Sequence, residues 1–586
     1  MKSFFKSVLA NIVAIFIIGV IFFVFFVFMI AMSAAMGDPK VNVKSDSILT
    51  LDYKTNIIDS PTEDQQGIFD FNNKNQNILV YDFVEAIQNA KNDDKIKGIS
   101  IETDFISAGF TQLDAVRAAL EDFKKSGKFV YAYGNMVSQP AYYLGSVADQ
   151  YYLHPSGGIE LKGMATEVIY WKSFAEKYGI GLEVIRHGKY KAAVEPYLRD
   201  DMSEENREQL STLLNDIWST VSTKIAASRK IEPAVFKTAV DSLYGIIPEL
   251  SVQHKLADKL IQKSEYDQLL KQKLKVKKEK DLNRISVSKY IAANIDRKSS
   301  GKDGQVAVLY ASGQIFNGEG YQNIYAKNFV EEIQKIADND KIKAVVFRIN
   351  SPGGSANASD EILFELQELK KKKPLVVSFG DYAASGGYYM AMAADKIYSE
   401  PNTITGSIGV FGMITYFKDL ANRNGINSYD VTTNSNSNYY SIINGVSPSA
   451  VDMFTKSVEG TYKRFVYFVT QNRKKSFEQI DEVGGGRVWS GTRAKQIGLV
   501  DELGSLHDAV NFAAQKAKLK EYKVSAYPKK LTQFEQIFKD FEEDQISARY
   551  LRKKMGDEKY KIFEQVTNPK LQSGVMMGMP YTITLK

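Results

Sequence analysis

Cysteine is absent from this 586-residue chain. That excludes disulfide frameworks, thiolate metal sites and cysteine nucleophiles together, and leaves the redox compartment undetermined. Histidine is scarce: only His154, His187, His254 and His507 occur, each in a different context. There is no HExxH pair, no clustered ligand set and no Walker-type phosphate loop, so neither a metal nor a nucleotide cofactor is expected. Charge of one sign is also lacking, the net being +6 at pH 7. The lysine cluster "KQKLKVKKEK" (271–280) therefore reads as a solvated helix or connector, and no nucleic acid partner is expected.

What is present begins with a composition of 44% apolar and 25% charged residues, which suits a chain that buries a core over most of its length. At this length one core is too few, and several domains are predicted. Residues 8–36 carry no charge and follow Lys2 and Lys6. About 20 apolar residues span a bilayer, whereas a signal-peptide core is only about 7–15 long, so residues 1–45 read as a retained membrane anchor. With both lysines on the cytoplasmic side, the rest of the chain is expected outside that compartment.

The strongest organisational signal is a duplication. "FVEAIQNAKNDDKIKG" (83–98) aligns with "FVEEIQKIADNDKIKA" (329–344), and an offset of 246 holds without a gap through Asp149/Asp395 to Gly179/Gly425. Such a register marks a repeated domain rather than a short-period solenoid. Each copy alternates amphipathic helices with β-branched runs, for example "KAVVFRIN" (343–350) before "SDEILFELQELKKKK" (359–373). This predicts an α/β fold with a parallel sheet in each copy, and a functional edge at the turns after the strands. The predicted divisions are 46–262 for the first copy, 263–304 for a lysine-rich helical connector, 305–530 for the second copy and 531–586 for a C-terminal extension.

The copies differ where chemistry would care. "NSPGGSA" (350–356) in the second copy stands opposite "DFISAGF" (104–110), placing Gly353 and Gly354 against Ser107 and Ala108. Paired glycines let main-chain N–H groups turn outward and a substrate carbonyl come close, as an oxyanion hole requires, although such a pair is often only a turn. Further on, Ser385-Gly386-Gly387 stands opposite Gln139-Pro140-Ala141. A serine there is ordinarily an N-cap, but the first-turn N–H groups, Gly386 among them, could also hold an oxyanion beside Gly353 or Gly354.

A serine nucleophile needs a base. No histidine has an informative spacing, which leaves lysine, and "RHGKYKAAVEPYLRDDMS" (186–203) supplies Lys191 in front of small apolar residues. Ser437 occupies that offset in the second copy, where no lysine occurs from 419 to 455. Serine and glycines thus sit in one copy and the lysine in the other. Lowering a lysine pKa from about 10.4 to near 7–8 takes roughly 3–4 kcal/mol of desolvation, which a nearby Glu195 would oppose.

Together "GKYKAAVEPYLRDDMS", "NSPGGSA", "ASGGYYMAMAAD" and "TITGSIGV" resemble the long, duplicated form of the signal peptide peptidase A (protease IV) family of serine proteases. The resemblance covers nearly the whole chain. It implies tandem Clp protease/crotonase-like domains with parallel sheets plus one N-terminal transmembrane helix. By it, Ser385 is the nucleophile, Lys191 the general base, and Ser407 orients the lysine, while Gly354 and Gly386 donate the oxyanion-hole N–H groups. It also implies a homotetramer on the outer face of the cytoplasmic membrane that degrades signal peptides and other short hydrophobic or unfolded chains, with no cofactor. The tail "LQSGVMMGMPYTITLK" matches no role. Two other readings are a crotonase-like acyl-CoA enzyme and a catalytically silent anchored scaffold, with Ser385 a cap and Lys191 a surface charge.

Overall fold

A computed structural model describes residues 2–35, 41–52, 55–61, 76–276, 282–294, 301–321, 323–529, 551, 554–555 and 575–578. Each copy builds its own sheet. In the first the strand order is Lys259–Leu260, Gln150–Ile159, Phe129–Val137, Ile96–Glu102, Ser47–Asp52 and Arg284–Ser286, all parallel. In the second the path is Val488–Ser490, Ile404–Gly406, Leu375–Ala384, Ile342–Ser351, Gly304–Ser312 and Tyr522–Tyr527, parallel except for the antiparallel edge Val488–Ser490. The central run from Ala344 to Ile349 is buried throughout. Such a nearly continuous apolar run, interrupted here only by Arg348, is what a parallel sheet covered on both faces requires.

Helices recur at equivalent places. Ala326–Asp338 buries Phe329, Ile333 and Ile336, a stripe at helical spacing. Ala356–Lys372 is capped by Ser355, whose side chain accepts from the Ala358 N–H, and ends in Lys370, Lys371 and Lys372, the sign that suits a helix C-terminus. Each copy has its own apolar core, one around Leu49, Phe83 and Leu120 and the other around Phe347, Leu366 and Tyr389.

Residues 263–304 are not only helical. Lys263–Leu274 and Val287–Ala293 are helices, but Arg284–Ser286 is the edge strand of the first sheet, and Tyr266 and Leu270 are buried against that sheet. Lys2–Ala35 is a single 34-residue helix. Among the described residues no helix is long and apolar enough to cross a membrane.

Two features join the copies. Buried polar pairs cross the boundary: Arg348 binds Asp59 at 2.6 Å, Asn402 donates to Asp114 at 2.7 Å, and Asp381 accepts from Thr111 and Gln112. A third, shared sheet runs Ile324–Tyr325, Ile315–Phe316, Gly353–Ser355, Met576–Gly578, Val410–Tyr416 and Gly181–His187. Its last pair is antiparallel over its whole length and takes one strand from each copy.

Candidate active site

The strand exchange places the first copy's lysine in the second copy's site. Directly after Gly181–His187 the chain turns at Gly188, and Lys191 enters the protein before the buried turn Ala192–Val194. Its amine lies 2.9 Å from Ser385 Oγ, 3.0 Å from Ser407 Oγ and 3.3 Å from the Ser407 carbonyl. The dyad expected from the two half-sites therefore closes within one chain.

Ser385 follows the strand Leu375–Ala384 and precedes the helix Gly386–Met390. It sits where an N-cap would, yet its side chain caps nothing: φ is 53°, outside ordinary cap geometry, and Oγ faces Lys191 and, at 3.4 Å, the Gly409 carbonyl. Ser407 also has a positive φ, 49°. Non-glycine residues held there cost about 1–3 kcal/mol each and gather at functional sites. Here both flank the lysine amine.

Lys191 is fully buried. Burial brings its pKa from 10.5 down to about 7, with no opposing charge. The Glu195 carboxylate is turned elsewhere, accepting from the Ser203 N–H and lying 3.9 Å from Arg199. An amine near pH 7 that is half neutral matches the strength wanted of a general base. The scaffold reading fails on both residues, since Ser385 is no cap and Lys191 no surface charge.

The glycines converge on the same spot. Gly353 has φ 99°, and a side chain there would meet the Met577 carbonyl at 2.1 Å and the Gly386 nitrogen at 2.8 Å. Its own N–H donates to Ser351 Oγ at 3.2 Å. Gly354 follows in the same strand and pairs with Met577, and Gly386 opens the helix. The structure thus brings Lys191, Ser385 and Ser407 into direct contact and sets the Gly353–Gly354 turn beside Gly386.

Sequence reasoning missed the strand that lies beside the paired glycines. The strand Met576–Gly578, from the tail that matched no role, pairs antiparallel with Gly353–Ser355 and on its other side meets Phe411. Met577 is 1% exposed, and its carbonyl comes near Gly353 and Gly386. Its only sequence signal is the apolar "VMMGM" in an otherwise unmatched tail. The rest of the 531–586 extension, apart from residues 551 and 554–555, lies outside the described residues.

The histidines stand elsewhere: His154 on Gln262, and the rings of His187, His254 and His507 stacked on Tyr462, Tyr244 and Tyr81. Among the described residues no group of His, Asp and Glu could hold a metal ion.

Comparison with known proteins decides the family. Residues 122–277 and 367–520 match peptidase family S49, once in each copy. The chain belongs to peptidase family S49. Residues 298–405 of this S49 peptidase also match the Clp protease family. Protease 4 of Salmonella typhi is 36% identical over 497 residues, covering 82% of this chain and 80% of its own. Protease 4 of Haemophilus influenzae is 33% identical over 80% of this chain and 78% of its own. The chloroplastic serine protease SPPA of Arabidopsis thaliana is 32% identical over 82% and 71%. An S49 chain of this kind is a serine peptidase of the duplicated, protease IV type.

Proposed function

We propose that this serine peptidase is anchored in the cytoplasmic membrane as a homotetramer, with its catalytic units outside, and degrades signal peptides and other short hydrophobic or unfolded chains. Ser385 is the nucleophile and Lys191 the general base. The observation that carries this is the 2.9 Å approach of a fully buried lysine amine to a serine hydroxyl that has no capping role.

A neutral amine has two N–H groups and one lone pair. The two donors reach the Ser407 Oγ and carbonyl, which leaves the lone pair for the Ser385 hydroxyl proton. As Oγ attacks a peptide carbonyl, Lys191 takes that proton, and the N–H groups of Gly354 and Gly386 hold the oxyanion. Lysinium gives the proton to the leaving amine, and a water deprotonated by the same lysine then hydrolyses the acyl-enzyme. Substrate lies as an extended strand against Gly353–Ser355, the position the chain's own Met576–Gly578 takes. A cleft edge of this type recognises backbone by strand addition, which suits unfolded chains.

The uncharged run 8–36 behind Lys2 and Lys6 supports the anchor and its orientation. Exposed Trp171, Phe174 and Tyr178 offer an apolar face for assembly. The test uses the full chain in detergent with a synthetic signal peptide and a serine-directed phosphonate. Wild type should cleave the peptide and carry the phosphonate on Ser385, and Ser385→Ala should do neither. Labelling elsewhere, or cleavage by Ser385→Ala, would reject the assignment.

A further inference from the structure

The segment that delivers Lys191 is gripped by groups that touch no reacting atom. The Tyr190 N–H donates to the Gly485 carbonyl at 3.0 Å, its hydroxyl donates to Glu208 at 2.8 Å, and its carbonyl accepts from Gln209 Nε2 at 3.1 Å. On the facing turn of the second copy, Gly486 has φ 87°, and a side chain there would meet the Lys191 main chain at 2.6–2.7 Å. The next residue is Arg487. Its guanidinium lies over the rings of Tyr190, at 4.8 Å, and Trp489, at 4.3 Å, and binds Glu208 at 2.6 Å. Its carbonyl accepts the Ser407 N–H at 2.7 Å.

We infer that Arg487 is a positioning residue for the dyad. Its carbonyl fixes Ser407 and its guanidinium fixes Tyr190, so one residue of the second copy holds the groups on both sides of the Lys191 amine. Only a planar, always charged fork can stack on two rings and bind a carboxylate at once, so lysine is no equivalent. A purely structural ion pair at this partly exposed place would contribute little to stability and nothing to the base. The inference rests on the Ser385/Lys191 reading.

The charged and titratable groups around the lysine segment are engaged away from the amine, Lys189 lying over the Tyr190 ring at 5.3 Å. Arg186 donates to the Lys191 carbonyl, and His187 stacks on Tyr462, which binds Asp481. Glu195 takes the Ser203 N–H, and Glu208 is shared by Tyr190 and Arg487. What keeps the amine neutral is dryness, and that depends on how closely this turn is held against it. Loosening the turn admits water and moves the amine back toward about 10.4.

The experiment compares kcat and KM across pH for wild type, Arg487→Ala, Arg487→Lys and Glu208→Ala in the full chain, with thermal midpoints measured alongside. Wild-type kcat should rise as pH passes through about 7. Arg487→Ala should lose about tenfold or more in kcat at pH 7 with KM nearly unchanged, and its rise should move to higher pH. Arg487→Lys should recover only part of this, and Glu208→Ala should shift in the same direction by less. If Arg487→Ala does not fold, Glu208→Ala alone decides. Unmoved pH profiles with wild type active would overturn the inference and leave the dyad standing. An inactive wild type would instead count against the dyad reading itself.

Discussion

The turn at Gln139 and the turn at Ser385 occupy equivalent places and are finished differently. Gln139 donates from Nε2 to the Gly163 carbonyl at 2.9 Å and accepts at Oε1 from the N–H groups of Lys162 and Gly163. Ser385 approaches the equivalent Gly409 carbonyl only at 3.4 Å. In the first copy Ser138, at the extended φ of −68° and without a side-chain cap bond, precedes the helix, whereas in the second Ser385 itself stands there at φ 53°. The longer amide seals the first turn with its own loop. The serine is too short to do so, and its hydroxyl is left for an amine from the other copy. Lys191 is buried, while Ser437 at the same offset lies in an exposed stretch. One turn is thus closed by its own loop, and the other holds a non-glycine residue at positive φ beside the lysine amine.

The comparison breaks most visibly at the dyad. Ser385→Ala and Lys191→Ala should each lower kcat for a peptide amide by at least about 10³-fold, because residues acting as one unit fail together. Gln139→Ala should leave kcat unchanged, and a loss there would mean that the first turn takes part in chemistry.

A second expected effect concerns stability. As pH falls, the unfolded chain's lysine protonates through about 10.4, while the buried amine resists until about 7. Folding therefore loses stability across that window and carries the full penalty below it. Lys191→Met should be inactive but more stable than wild type by roughly 4 kcal/mol at pH 7, and by under about 1 kcal/mol at pH 10. Denaturant unfolding at the two pH values checks this.

The tail is the third point of attack. Ending the chain at residue 574 removes the strand that pairs with Gly353–Ser355 and meets Phe411. A segment in the substrate's place competes with it by mass action. The shortened chain should show a lower KM with kcat little changed, and an unchanged KM would mean that substrate does not use this edge. The smallest effect is that of Gln139→Ala on stability, about 1–3 kcal/mol, since the buried Gly163 N–H and the partly buried Lys162 N–H lose their acceptor. Its thermal midpoint reports it.

Much of this was legible in the sequence because the copies could be read against each other. The alternating helices and strands and Ser385 against Gln139 are local differences that an ungapped register exposes, and Lys191 against Ser437 follows from carrying the same offset past its end. The antiparallel pairing of Gly181–His187 with Val410–Tyr416 was not legible, because the two strands lie far apart along the chain and pairing between copies leaves no local periodicity. The stretch 263–304 looked like a connector because its lysines dominate, yet Ile285, Tyr266 and Leu270 tie it to the first sheet. Arg487 and Gln139 act through partners that only tertiary packing brings near, and neither sits in a motif that names its role.

The most direct test mixes inactive halves. Ser385→Ala and Lys191→Ala chains are combined in equal amounts, unfolded and refolded together so that unlike chains can meet, and assayed on a hydrophobic peptide amide. A dyad closed within each chain predicts that the mixture stays as inactive as either variant alone, because no chain in it holds both residues. Recovered hydrolysis would contradict that, and would place Lys191 against the serine of a neighbouring chain.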